Sequence, residues 1–289
     1  MSDVTLPAPD HPSSALETPS APHREVIYRH TRVVRITHWI NVLCLSLLLM
    51  SGLQIFNAHP ALYWGQYGAD ADKPVLAMNA FVSHGDKLSG VTKLGGLSFQ
   101  TTGLFGASSN EVRGFPRWLT LPADRNLAVG RRWHFFLAWL FVTNGLVYLI
   151  VGAVNGHFRK DLAPTPEQLK PRNIWRDIVD HARLKHPVGE AAKRYNSLQK
   201  FAYLAVIVLL LPIMVLTGLT MSPGADAALP VLLSLFGGRQ SARTIHFITA
   251  NLIVLFVVVH VVEVFLAGVV NEVRSMITGR YVVKPEGSH

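Results

Sequence analysis

Apolar residues in this chain come in long, nearly unbroken runs, not at the alternating or three-to-four-residue spacing of a soluble core. Four runs, about 36–56, 133–154, 201–221 and 244–268, meet or approach the roughly 18 residues a helix needs to cross a hydrocarbon core. The pattern predicts an all-α membrane protein, a four-transmembrane-helix bundle. A long extracytoplasmic loop (57–130) joins helices 1 and 2, and a basic cytoplasmic loop (157–198) joins helices 2 and 3. Residues 1–28 and 271–289 read as tails around a membrane domain at 29–270. The first 23 residues hold five prolines among Ser, Ala and Thr without an apolar stretch, the composition of a disordered tail and not of a cleaved signal.

The connections carry patterns of their own. GVTKLGGLSFQTTGLFG (Gly90–Gly106) alternates β-branched and aromatic residues around glycines, which predicts a short hairpin. A loop this long is expected to dock a partner or cover a buried site. In RNIWRDIVDHARLKHP, residues Ile174, Trp175, Ile178, Val179 and Ala182 share one helical face among basic residues, the signature of a helix lying on a membrane leaflet.

Charge orients the bundle. Lys and Arg number four from Arg24 to Arg35, ten from Arg159 to Lys200 and three after Val273, against eight from Asn57 to Arg132. The positive-inside rule then puts both termini in the cytoplasm of a bacterial inner-membrane, multi-pass protein in contact with membrane lipid. It also accounts for the net charge of +9 without nucleic acid, because the basic residues flank the spans. The single cysteine, Cys44, excludes an intrachain disulfide and a CxxCH haem attachment, so any haem is held non-covalently. No GxGxxG, GxxxxGK[ST] or GxSxG motif supports a nucleotide-dependent or hydrolytic enzyme.

Four of the thirteen histidines, His38, His134, His246 and His260, lie in or at the edge of the spans, where an ionisable group is expensive and is expected to have a partner. His246 and His260 are fourteen residues apart, which is about 1,400° of helix rotation and roughly 21 Å of rise. They therefore share a face but are too far apart for one metal ion. By depth, His134 matches His246 and His38 matches His260, and facing imidazoles at one depth are what bis-histidine ligation of a haem iron requires. Gly52, Gly145 and Gly218 offer small positions for a flat macrocycle. Arg35, Arg131 and Arg243, with Arg32 and Arg132 nearby, are candidate partners for haem propionates; ordinary interfacial anchoring explains them as well.

The stretch RVVRITHWINVLCLSLLLMSGLQIF resembles the first helix of the membrane b-type cytochromes that include the NiFe-hydrogenase cytochrome b subunit, the formate dehydrogenase γ subunit and bacterial cytochrome b561. YNSLQKFAYLAVIVLLLPIMVLTGLTMSP is similar to the third helix of that group, and the HX13H interval to the hydrogenase type. The resemblance implies two b haems on His38, His134, His246 and His260, and electron transfer between quinone and an extracytoplasmic redox enzyme subunit such as a hydrogenase or a molybdopterin oxidoreductase. The long outer loop departs from the smaller members and leaves the partner open. A transporter that uses intramembrane histidines for a metal ion or protons is the alternative, and a purely structural membrane anchor is a third reading.

Other residues are secondary candidates. Glu263, three residues beyond His260, either carries a proton for quinone chemistry or pairs with a loop Arg or Lys. His59 and His84 are possible loop ligands, His157, His181 and His186 are expected at the interface, and His11, His23, His30 and His289 lie in or near the tails. Trp39 and Trp133 are expected in the interfacial aromatic belt.

Overall fold

The computed structural model describes residues 25–68, 72–83, 87–183 and 196–283. The proposed tail before residue 25 with His11 and His23, the loop residues His84 and His186, and His289 lie outside the described residues.

Among the described residues four helices are long and apolar enough to cross a membrane, and the chain is a multi-pass membrane protein built on a four-helix bundle. After a short strand β1 (Val26–Tyr28), the first is α1 (Arg32–Phe56), started by Thr31, whose hydroxyl accepts from the Val34 N–H. The second, α2 (Leu127–Val154), starts at Asn126, which caps Val129 in the same way. An amphipathic helix α3 (Pro171–Ala182) occupies the second connection, with Trp175 67% exposed.

The third span begins with a reciprocal capping box between Asn196 and Gln199 and is not uniform. It runs as α4 (Ser197–Leu204), a π-helical stretch at Ala205–Leu210, and α5 (Leu211–Thr220). Pro212 accounts for the break: it has no N–H to give and its ring collides with the preceding turn, and a wider turn accommodates both. Two short helices, α6 (Pro223–Ala228) and α7 (Val231–Leu235), lead to the fourth span, α8 (Arg239–Thr278). At 40 residues α8 is longer than its apolar run, and it kinks at Gly268, whose φ of 113° only glycine adopts without strain. The overhang brings β8 (Arg280–Val282) back to pair antiparallel with β1, so both described chain ends meet at one end of the bundle, the terminal end.

The connection between the first two spans is built of strands, which extends the all-α expectation. Strands β2 (Ala61–Leu62), β3 (Leu76–Ser83), β4 (Lys87–Leu94) and β5 (Leu97–Gln100) form an antiparallel sheet in that order. The expected hairpin is β4–β5, turning at Gly95 and Gly96, and β6 (Gly106–Ser108) pairs with β7 (Glu111–Arg113) beside it. A small core of Leu53, Phe56, Leu62, Met78 and Phe115 joins the sheet to the end of α1. The buried Arg113 guanidinium donates to Phe115 O, Ala123 O and Thr120 Oγ1, pinning the segment that returns to α2. This is the sheet end of the bundle.

Helix α1 packs along α2, and α5 along α8, whereas α1 and α8 barely touch. A cavity opens between the two helix pairs. Away from the cavity, Ile150, Val208, Leu255 and Val262 are exposed, the surface a lipid-immersed bundle presents.

Candidate functional site

The cavity, of about 2420 Å³, is lined by His38, His134, His246 and His260. It exceeds the roughly 300–1,000 Å³ of ordinary ligand pockets, so it has room for more than one large apolar group. The structure brings the histidines together in two pairs: His134 on α2 with His246 on α8 at the sheet end, and His38 on α1 with His260 on α8 at the terminal end. Ring centroids are 6.4 Å apart in each pair, and the rings are inclined at 65° and 70°.

That separation is a test of fit. The rings of a pair make no direct hydrogen bond, and a transition metal takes each imidazole nitrogen at about 2.0–2.1 Å, which sets two rings roughly 6 Å apart centre to centre. Among the described residues no three His, Cys, Asp or Glu side chains converge on a bare metal ion. Histidines in twos suit an iron whose remaining positions are filled by a macrocycle. At the terminal end Arg35, which stands behind the residues lining the cavity, donates to Ile277 O through Nη1, and its buried Nε has no hydrogen-bond partner, a donor of the kind a carboxylate such as a propionate accepts from.

The other proposed arginines differ. Arg131 is exposed at the start of α2, with its guanidinium 5.7 Å from the Phe135 ring and on the cavity wall. Arg243 also lines the cavity, but its Nη1 and Nη2 donate to Ala61 O and His59 O at 2.8 and 2.5 Å, and it lies over Phe56. It straps the start of the sheet to α8. His59 stacks on Tyr63 at the cavity edge, and His157 lies against Tyr148 and Phe158. Glu263 pairs with His181 of α3 at 3.4 Å, so its partner is a loop histidine and not the Lys or Arg expected of a bland helix end. Trp39 Nε1 donates to Met276 O, which ties α1 to the end of α8.

Three groups at the site escape a reading of histidine spacing. Ser51 Oγ lies 3.1 Å from His134 Nδ1, and Thr217 Oγ1 lies 3.0 Å from His246 Nδ1. Each is followed by a glycine, and a signal was present: Met50-Ser51-Gly52-Leu53 recurs in the third span as Leu216-Thr217-Gly218-Leu219. Gly52, Gly145 and Gly218 all line the cavity; Gly52 and Gly218 lie beside the imidazoles of His134 and His246, while nothing stands near the would-be Cβ of Gly145. The third group is His30, buried at the terminal end, where desolvation and then the charges of Arg29, His38, Arg35 and His157 lower its pKa to about 4.

Comparisons with known proteins agree with this architecture. A protein of Azospira oryzae described as a putative protein-methionine-sulfoxide reductase subunit YedZ1 is 28% identical over 250 residues, covering 84% of this chain and 93% of that protein. No solved structure matches the chain. Residues 29–279, from just before α1 to just past α8, match the family described as prokaryotic cytochrome b561, and with its four spans the chain belongs to that family of membrane electron-transfer proteins.

Proposed function

We propose that this chain is a dihaem b-type cytochrome that carries electrons between the quinone pool and an extracytoplasmic redox enzyme. The observation that carries the reading is the presence of two histidine pairs at the same 6.4 Å separation, one at each end of a single cavity. Bound haem supplies a one-electron iron couple at each end. In this reading His134 and His246 hold the sheet-end haem, His38 and His260 hold the terminal-end haem, and Arg35 donates to a propionate of the latter. Arg131 and Arg243 stand at the sheet end, where Arg243 also clamps the loop.

The excess of Lys and Arg near the termini and around α3 supports a cytoplasmic terminal end and an extracytoplasmic sheet end. Reduction of a quinone takes up two protons with its two electrons, and Glu263, which lines the cavity and pairs with His181 of α3, supports a route for such protons from the cytoplasm. The sheet is the surface left for the partner. The description of the Azospira oryzae relative as a reductase subunit supports a role beside a separate catalytic protein, with a molybdopterin oxidoreductase or a hydrogenase as the classes to test.

The reduced-minus-oxidised visible spectrum of the purified full-length protein, with haem counted per chain, tests the reading. Two b haems per chain, reducible by a quinol in vesicles, are expected. A colourless protein that binds a divalent metal would overturn it in favour of a transporter. Co-purification from native membranes identifies the partner.

A further inference from the structure

Ser51 and Thr217 do not need a histidine to place their own hydrogens. Ser51 Oγ donates to Leu47 O at 2.7 Å and Thr217 Oγ1 to Ile213 O at 2.6 Å, in the preceding turn of each helix. Each oxygen therefore meets its imidazole with a lone pair, and His134 Nδ1 and His246 Nδ1 are the donors. With the proton on Nδ1, Nε2 of each ring keeps its lone pair, the state a metal requires.

The next residue completes each seat. A Cβ on Gly52 would stand 3.3 Å from His134 Cε1, and one on Gly218 would stand 3.4 Å from His246 Cε1. The two seats match in every respect: a fully buried hydroxyl, a bond back along its own helix, a bond to Nδ1 of the partner helix, then a glycine under the ring edge. At the terminal end, among the described residues, His38 and His260 have no hydrogen bond to a ring nitrogen.

We propose that Ser51–Gly52 and Thr217–Gly218 are paired histidine seats whose hydroxyls fix the tautomer of His134 and His246 and thereby set the potential of the sheet-end haem alone. This inference rests on the dihaem reading. Ser51 and Thr217 are positioning residues, because they act through the imidazoles. Accepting from Nδ1–H makes an imidazole more basic and favours the oxidised iron. Losing the acceptor raises the potential.

The test is a potentiometric titration, with low-temperature electron paramagnetic resonance, of the full-length holoprotein carrying Ser51→Ala or Thr217→Val, and of the conservative Ser51→Thr and Thr217→Ser. Each hydroxyl-free variant is expected to shift one haem's reduction equilibrium on the order of tenfold. That is about 59 mV upward for one electron, with changed g values for that haem only. The conservative variants are expected to restore both. Selective loss of one haem in the hydroxyl-free variants, rescued by the conservative ones, supports the proposal equally. Wild-type potentials and g values in Ser51→Ala and Thr217→Val overturn it while leaving the dihaem reading standing. Loss of haem in all four variants overturns it too, because shape and not the hydroxyl would then matter. A wild-type protein with no haem ends both.

Discussion

At the sheet end of the cavity, His134 and His246 each rest on a hydroxyl and a glycine from the helix packed against their own. At the terminal end, Phe256 stacks on His260 at 11° and Trp39 stands edge-on to His38, and ring packing replaces hydrogen bonds. The cause is the helix arrangement. Close packing of α1 on α2 and of α5 on α8 puts Ser51 and Thr217 beside the sheet-end rings, whereas at the terminal end the neighbours of His260 and His38 are the rings of Phe256 and Trp39. Equal spacing thus coexists with unequal hydrogen bonding, and the sheet adds to the difference. Thr244 Oγ1 donates to Tyr63 O, Gly65 N donates to Ser241 Oγ, and Arg243 holds two more carbonyls.

The largest expected effect separates the two ends outright. His134→Ala or His246→Ala is expected to cost one haem of two and leave the other at its wild-type potential, and His38→Ala or His260→Ala is expected to do the reverse. Haem counts with redox titrations check this, and variants that lost the same haem from either end would erase the distinction.

Crowding comes next. Gly52→Ala puts a methyl 3.3 Å from the His134 ring, an overpacking expected to cost about 1–3 kcal/mol and to lower sheet-end haem occupancy. Gly145→Ala meets nothing within 4 Å on the protein side and serves as the control for the protein fold. Equal losses of protein stability from the two substitutions would contradict the seat geometry.

Arg243→Ala tests the clamp. It removes the guanidinium from Ala61 O and leaves His59 O with the Ala61 N–H alone, at a cost of about 1–3 kcal/mol. Faster proteolysis within the connection between α1 and α2 is expected, with the terminal-end haem unaffected.

The last effect belongs to the terminal end and appears only on acidification. His30 titrates at about 4 in the folded protein against an ordinary 6.5, so between those values the unfolded chain binds a proton that the native protein does not. Stability is therefore expected to fall as pH drops from about 6.5 towards 4, and His30→Gln is expected to flatten that slope. Thermal unfolding in detergent across the window reads it, and an unchanged slope in the variant would remove His30 from the account.

Much of this molecule is local physics and could be read along the chain. Long apolar runs need helices because only a helix satisfies its own backbone in hydrocarbon, and the fourteen-residue interval puts His246 and His260 on one face through the pitch of the helix alone. Gly95–Gly96 marks the β4–β5 turn, and the expected end of the fourth span coincides with the kink at Gly268. What stayed illegible depends on partners distant in sequence. The acceptor of the His134 N–H is 83 residues away, and that of His246 is 29 away. Arg243 looked like a propionate partner from its neighbours, and only the fold shows that two of its N–H groups also go to carbonyls more than 180 residues earlier. Helical periodicity tells a side chain which way to face, whereas only the packing of one helix on another decides what it meets there.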